Sequence, residues 1–163
     1  MKISILLPYK ENFSPEYAGA VSLFVKDTTK ISNYKKKITV YGSTNFKRRY
    51  KINYKNLIIK KKFLNSTSKR YINEFLSKEI NKPSDIIEIH NRPTYVKPIY
   101  DKLKANIILY YHNDPLSMGG SQSTKDRKFL LDNCKCIVVI SQWIKKRLLE
   151  DLNVGNDILQ KFT

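Results

Sequence analysis

Short apolar runs alternate along the chain with longer stretches in which apolar residues recur every three to four positions. That alternation is the pattern of a mainly parallel sheet wrapped by helices. Lys2–Leu7 reads as a first, almost continuously apolar strand, as expected where both faces of a strand are covered. Pro8–Tyr17 reads as a loop, because its proline and asparagine positions break regular structure. A helix from Gly19 to about Ser32 sets Val21, Phe24, Val25 and Thr28 at helical spacing, and Lys37–Tyr41 follows as the second strand. Asn56–Ile59 predicts a third strand, and Ser66–Ile80 a helix with Tyr71, Phe75 and Leu76 on one side. Beyond the break at Pro83, Ile86–Ile89 is the next strand. The remaining units are a helix over Tyr95–Leu103, a strand over Asn106–Tyr111, a helix over Thr124–Asp132, a strand over Cys136–Ile140 and a helix over Gln142–Leu152. Ser141 stands where it can cap the last of these. The expected fold is α/β, a Rossmann-like doubly wound sheet of about six or seven strands.

Length adds one constraint. A chain of 163 residues with 41% hydrophobic content buries one core, so one domain is expected over residues 1–152. The longest apolar runs, Ile107–Tyr111 and Cys136–Ile140, are strand-sized and far short of the roughly 20 residues of a membrane-spanning helix. Met1–Leu7 runs directly into Pro8 and Tyr9 without the longer apolar region and small-residue cleavage site of a secretory signal, so a cytoplasmic location is expected. Cys134 and Cys136 form a C-x-C pair at a strand entrance, pointing to one face with little room to bridge. No ligand cluster accompanies them, so the expectation is reduced thiols and no metal or redox site.

The formal charge of +17 changes the picture less than its size suggests. Lys, Asn, Ile and Tyr are all abundant, a mix that AT-rich coding DNA produces without selection for a partner. Clusters at Lys35–Lys37, Lys47–Lys51 and Lys60–Lys62 nevertheless give the first half a basic face. Two readings of that face stay open: a solvated surface, or one that meets anionic phospholipid on the inner side of the plasma membrane, where each lysine adds about 1 kcal/mol. Nucleic acid is disfavoured, since the basic runs carry no recognisable reading motif or stacking pattern.

In an open parallel sheet, ligands bind beyond the carboxyl ends of the strands. Three such ends carry candidate chemistry. The first loop closes with Tyr17-Ala18-Gly19-Ala20, where Gly19 permits close backbone approach and the following helix offers unpaired N–H groups to an anion. The fourth strand ends in His90-Asn91-Arg92, and the fifth in His112-Asn113-Asp114, followed by Met118-Gly119-Gly120-Ser121. These are the chain's two histidines, and both are strand-terminal. Each feature also has a plain reading: Gly19 as a turn without the G-x-G-x-x-G spacing, Arg92 as a solvated cation, Asp114 as a turn residue, Trp143 as core or rim packing.

The ordered set resembles a known family. Strand Lys2–Leu7 followed by Pro8-Tyr9 and Ala18-Gly19-Ala20-Val21, then Asp85–Asn91, Ile107–Asp114, and Val138–Ser141 with Trp143 and its basic neighbours are similar to the N-terminal domain of retaining glycosyltransferase family four, which has the GT-B fold. The resemblance implies transfer of a sugar from a nucleotide-diphosphate donor to a glycan or lipid-linked acceptor, as in cell-envelope polysaccharide or lipopolysaccharide synthesis. It implies no metal and no permanently bound cofactor. His112 matches the catalytic histidine at the reacting centre, and Gly19 and Ala20 match the glycine loop near the donor phosphate. His90, Asn91, Arg92, Asn113, Asp114 and Ser141 fall at substrate-binding positions. Ala20 departs from the family, whose members often carry a second glycine there. The resemblance further implies a second, nucleotide-binding domain, with residues 153–163 as the start of an interdomain crossing or a C-terminal tail, and no turnover by this chain alone. Competing readings are a flavodoxin-like or other Rossmann ligand-binding module, and a basic membrane or nucleic-acid adaptor.

Overall fold

A computed structural model describes residues 1–59 and 66–163; the basic run Lys60–Lys62 lies outside the described residues. Strands β1 (Ile3–Leu6), β2 (Ile38–Gly42), β3 (Tyr54–Asn56), β4 (Ile86–His90), β5 (Asn106–Tyr111) and β6 (Cys136–Val139) form one sheet in the order β3-β2-β1-β4-β5-β6. The helices are α1 (Ala20–Ile31), α2 (Thr67–Glu79), α3 (Val96–Leu103), α4 (Thr124–Asn133), α5 (Gln142–Leu149) and a short α6 (Asn156–Leu159). This is the α/β Rossmann-like fold that the alternation predicts. The residues group into two compact units, Met1–Ile86 and Ile87–Thr163.

In the first unit β1 is buried along its whole length and pairs in parallel with β2, Ile3 opposite Ile38 and Ile5 opposite Val40. Leu7, Phe13, Val21 and Val25 complete this core. Helix α1 turns Val21, Ser22, Val25 and Thr29 inward, whereas Phe24 and Thr28 lie on the exposed side. The inward stripe is therefore more polar than apolarity alone predicts, because Ser22 satisfies its hydroxyl on the Gly19 carbonyl at 2.9 Å. Strand β3 also differs from expectation, pairing through Tyr54, Lys55 and Asn56 with Val40, Tyr41 and Gly42. The apolar run that suggested Asn56–Ile59 contributes buried Leu57, whose N–H still bonds the Gly42 carbonyl, but Ile58 is 72% exposed.

A buried carboxylate ties this unit together. Glu79, at the inner end of α2, is fully buried and accepts hydrogen bonds from Lys2 Nζ at 3.0 Å, Ser4 Oγ at 2.9 Å, Tyr41 Oη at 3.1 Å and the Ser84 N–H at 2.8 Å. One side chain thus joins β1, β2, α2 and the turn that leads into β4. Burial by itself would raise the Glu79 pKa, but the hydrogen bonds from Ser84, Lys2 and Ser4 outweigh it and hold the carboxyl below its usual value.

In the second unit β5 and β6 run parallel, with Ile108 opposite Cys136 and Tyr111 opposite Val139. Ser123 caps α4 through the Asp126 N–H at 3.1 Å, and Ser141 caps α5 through the Ile144 N–H at 3.2 Å, as the sequence predicts. Helix α5 stops at Leu149, earlier than expected, where Glu150 turns extended and Asp151 takes a left-handed φ of 58°. Trp143 packs at the rim and not in the core, 56% exposed beside the Arg147 guanidinium. Residues 161–163 lie along β6, with backbone bonds from Ile137 N to Lys161 O, Thr163 N to Ile137 O and Val139 N to Thr163 O. Cys134 and Cys136 are free thiols; burial pushes the Cys134 thiol up to about 12.

Because the folded-state pKa of Glu79 is depressed, its contribution is complete above the ordinary carboxylate range and is lost as pH falls through the lower folded value. Replacing Glu79 with Ala leaves Lys2 and three polar groups without their acceptor, so urea unfolding should show a loss of about 3 kcal/mol at neutral pH. That difference should shrink in acid; an equal loss at neutral and acid pH would argue against a charged Glu79.

Candidate functional site

In the first unit, Gly19 and Ala20 open α1 as the sequence predicts, Gly19 being the extended residue ahead of the first turn. The space beside Gly19 is filled by Glu11. An added methyl would lie 2.8 Å from Glu11 Cδ and closer still to Oε1. That same Oε1 accepts the Ser22 N–H at 3.0 Å, so a carboxylate of the chain's own loop caps the helix. Glycine leaves room here for an acidic side chain that crosses above it, and an added methyl would push that side chain aside. The N-terminus of α1, expected to meet a ligand anion, carries an internal one. Phe13, fully buried against Tyr50 and Tyr54, anchors the same loop.

In the second unit the two histidines meet. Asn91 adopts a left-handed φ of 53°, donates its N–H to the Tyr110 carbonyl at 2.8 Å, and accepts the His112 N–H on Oδ1 at 2.9 Å. This stitches the end of β4 to the end of β5 and sets His90 Nδ1 3.0 Å from His112 Nε2. The His90 ring lies on Tyr110, centroids 4.4 Å apart and planes 17° apart, and 5.3 Å from the His112 ring. His90 is buried and its Nε2 lies 3.7 Å from Glu88 Oε2. Burial, and after it the neighbouring His90, pushes His112 from 6.5 down to about 4, so the ring is neutral at physiological pH.

The other predicted residues divide in two. Asn113 joins the histidine site, accepting from Asn91 Nδ2 at 3.3 Å. Arg92 is exposed and folds back to donate to the Asn91 carbonyl at 2.7 Å. Asp114 caps the 3-10 turn Pro115–Ser117 through the Leu116 N–H and holds Arg147 bidentately, both N···O distances being 3.3 Å. Ser141 serves as the cap of α5. Gly120 needs its φ of 86°, and a methyl there would come within 2.8 Å of the Thr94 N atom, so the 118–121 loop is seated on Thr94. A groove of about 760 Å³ between α3 and α4 is lined by Thr94, Gly120 and Phe129 among others, and neither histidine lines it.

Sequence reasoning did not select Glu88 or Tyr110, although each stands two residues before a chosen histidine and strand alternation puts it on the same face. Glu11 carried no local signal, since the N–H it caps, that of Ser22, lies eleven residues on. No group of three or more His, Cys, Asp or Glu among the described residues is placed to hold a metal ion. Nor is any helix among them long and apolar enough to cross a membrane.

No protein-family model matches the sequence, and no curated protein sequence matches it either. Solved structures do share the fold. A sucrose-phosphate synthase from Thermosynechococcus elongatus superposes with a TM-score of 0.58 at 11% identity, over 96% of this chain and 94% of that one. The apo form of the lipopolysaccharide outer core galactosyltransferase WaaB superposes with a TM-score of 0.60 at 12% identity, over 100% of this chain. This chain covers 44% of the WaaB chain.

Two measurements check the site. Gly19→Ala should displace the Glu11 carboxylate and cost about 1 kcal/mol, the worth of a helix cap, and the same change should cost far less in a Glu11→Ala background. Additive losses in thermal or urea unfolding would refute the coupling. For His112 the sign is set by a folded pKa below the unfolded one: between 6.5 and about 4 the unfolded chain binds the extra proton, so stability falls as pH falls through this window. His112→Gln should flatten that part of the stability profile.

Proposed function

We propose that this chain is the acceptor-side domain of a retaining, sugar-nucleotide-dependent glycosyltransferase of the GT-B type. The reading rests on one observation above the others: two imidazoles in hydrogen-bond contact at the ends of β4 and β5, in a fold that two sugar-transferring enzymes share across nearly the whole chain. Strand ends are where this architecture binds ligands. A neutral imidazole there can accept a hydrogen bond from a sugar hydroxyl without a charge penalty. His112 is the proposed catalytic residue, with Asn91 and Asn113 fixing its strand end.

WaaB is described as a lipopolysaccharide outer core galactosyltransferase. A cell-envelope glycan or lipid-linked acceptor suits that likeness, and the basic runs Lys35–Lys37 and Lys47–Lys51 suit an anionic membrane surface at which such an acceptor is held. The nucleotide-diphosphate donor, on this reading, is bound chiefly by a second Rossmann-like domain. Glu11 at the N-terminus of α1 argues in the same direction, because a phosphate there would have to displace a carboxylate. Charge on the leaving diphosphate is then neutralised by groups outside α1, without a metal.

Two assays test the proposal. The purified 163-residue chain should transfer no sugar from any nucleotide donor. Joined to a nucleotide-binding partner domain it should, and His112→Ala should then lower kcat by at least about 100-fold, the scale of a lost acid-base or electrostatic group, with thermal stability retained. Wild-type transfer by the variant would refute the catalytic role of His112.

A further inference from the structure

Glu88 and His90 stand two residues apart on β4, and Tyr110 and His112 two apart at the end of β5, so strand alternation gives each pair a common face. The contacts run in one line: Glu88 Oε2 to His90 Nε2 at 3.7 Å, then His90 Nδ1 to His112 Nε2 at 3.0 Å. Tyr110 lies flat against His90, which restrains rotation of that ring. Cys136, whose strand neighbours β5, also acts on Tyr110.

We propose that Glu88 and His90 are positioning residues that hold His112 in a single tautomer, with its proton on Nε2 and a lone pair on Nδ1. A carboxylate near His90 Nε2 favours a proton on that nitrogen and disfavours a lone pair there. A neutral His90 with its proton on Nε2 has a bare Nδ1, which can only accept. His112 must then donate to it from Nε2, and His112 Nδ1 is left as an acceptor. The second imidazole thereby passes the influence of Glu88 along to the strand end, as the outer partners of a ligating or catalytic histidine do elsewhere.

Within the transferase reading, on which this use depends, the substrate hydroxyl meets His112 Nδ1 as a hydrogen-bond acceptor, and Glu88 acts through His90 only by keeping that nitrogen free of a proton. The tautomer itself is independent of that reading.

The test is a two-bond proton–nitrogen correlation spectrum of the full chain with nitrogen-15 histidine at neutral pH. Only two histidines contribute, and a His90→Gln variant assigns them. His112 should show the pattern of a proton on Nε2. Glu88→Gln removes the charge while its amide can present either end to His90, so the single tautomer should be lost and a second should appear. A proton on His112 Nδ1 in the wild type overturns the proposal, as does an unchanged His112 pattern in a folded Glu88→Gln variant. If that variant fails to fold, the wild-type pattern decides alone. With the Nε2 tautomer intact, absence of sugar transfer by the chain joined to a nucleotide-binding partner domain would sink the transferase reading and leave the tautomer assignment standing; transfer by the joined protein with the wrong tautomer would do the reverse.

Discussion

The candidate site depends on the bond between the Asn91 side chain and the backbone of His112. Asn91 leaves β4 in a left-handed conformation that asparagine tolerates better than most residues, because its short amide can bond locally. That turn lets one residue use both its main-chain N–H and its side-chain carbonyl on β5, at Tyr110 and His112. With the strand ends fixed, a buried ring and a half-buried one that each prefer water are brought together. Hydrogen bonding between them, and stacking on Tyr110, offsets part of that cost. A site held this way is set by backbone geometry before any ligand arrives, which is the condition for electrostatic preorganisation.

The first unit places its polar groups differently. Glu79 and Glu11 are both carboxylates that accept backbone N–H groups, yet one is sealed inside the unit and the other crosses a loop. Glu79 joins elements distant in sequence, and its partners include both an ammonium and neutral hydroxyls. Glu11 acts locally and shapes one turn. Together they show why the acids that are present, 14 against 31 lysines and arginines, are placed with economy.

Much of the fold was legible because the apolar runs of β1, β5 and β6 stand out between polar stretches, although only β1 is buried along its whole length while β5 is buried at alternate residues and β6 at Ile137 alone. Strand β5 falls at the expected residues, Asn106–Tyr111. Strand β3 was misplaced because it is short and polar, with Asn53 helping to hold it through its side-chain bonds to β2, so periodicity had little to detect. The inward face of α1 was misjudged because Ser22 and Thr29 are buried while Phe24 is not. For the site, the histidines were legible from their strand-terminal positions. Their mutual contact was not, since it depends on which strands are neighbours and on the backbone turn at Asn91. The same holds for Glu11, whose role depends on how a ten-residue loop folds back.

The cations of this protein are held in a way that bears on its response to ionic strength. Arg49 lies over the ring of Tyr54, Lys55 over Tyr41, Lys104 over Tyr100 and Lys145 over Phe162. Ring faces, in place of scarce carboxylates, take up part of the positive charge. Such contacts are short-ranged, whereas the mutual repulsion of the many lysines acts over a Debye length of about 8 Å at physiological salt. Added electrolyte weakens such repulsion more than the attachments, so a molecule with a net charge of +17 is expected to gain stability as salt is added.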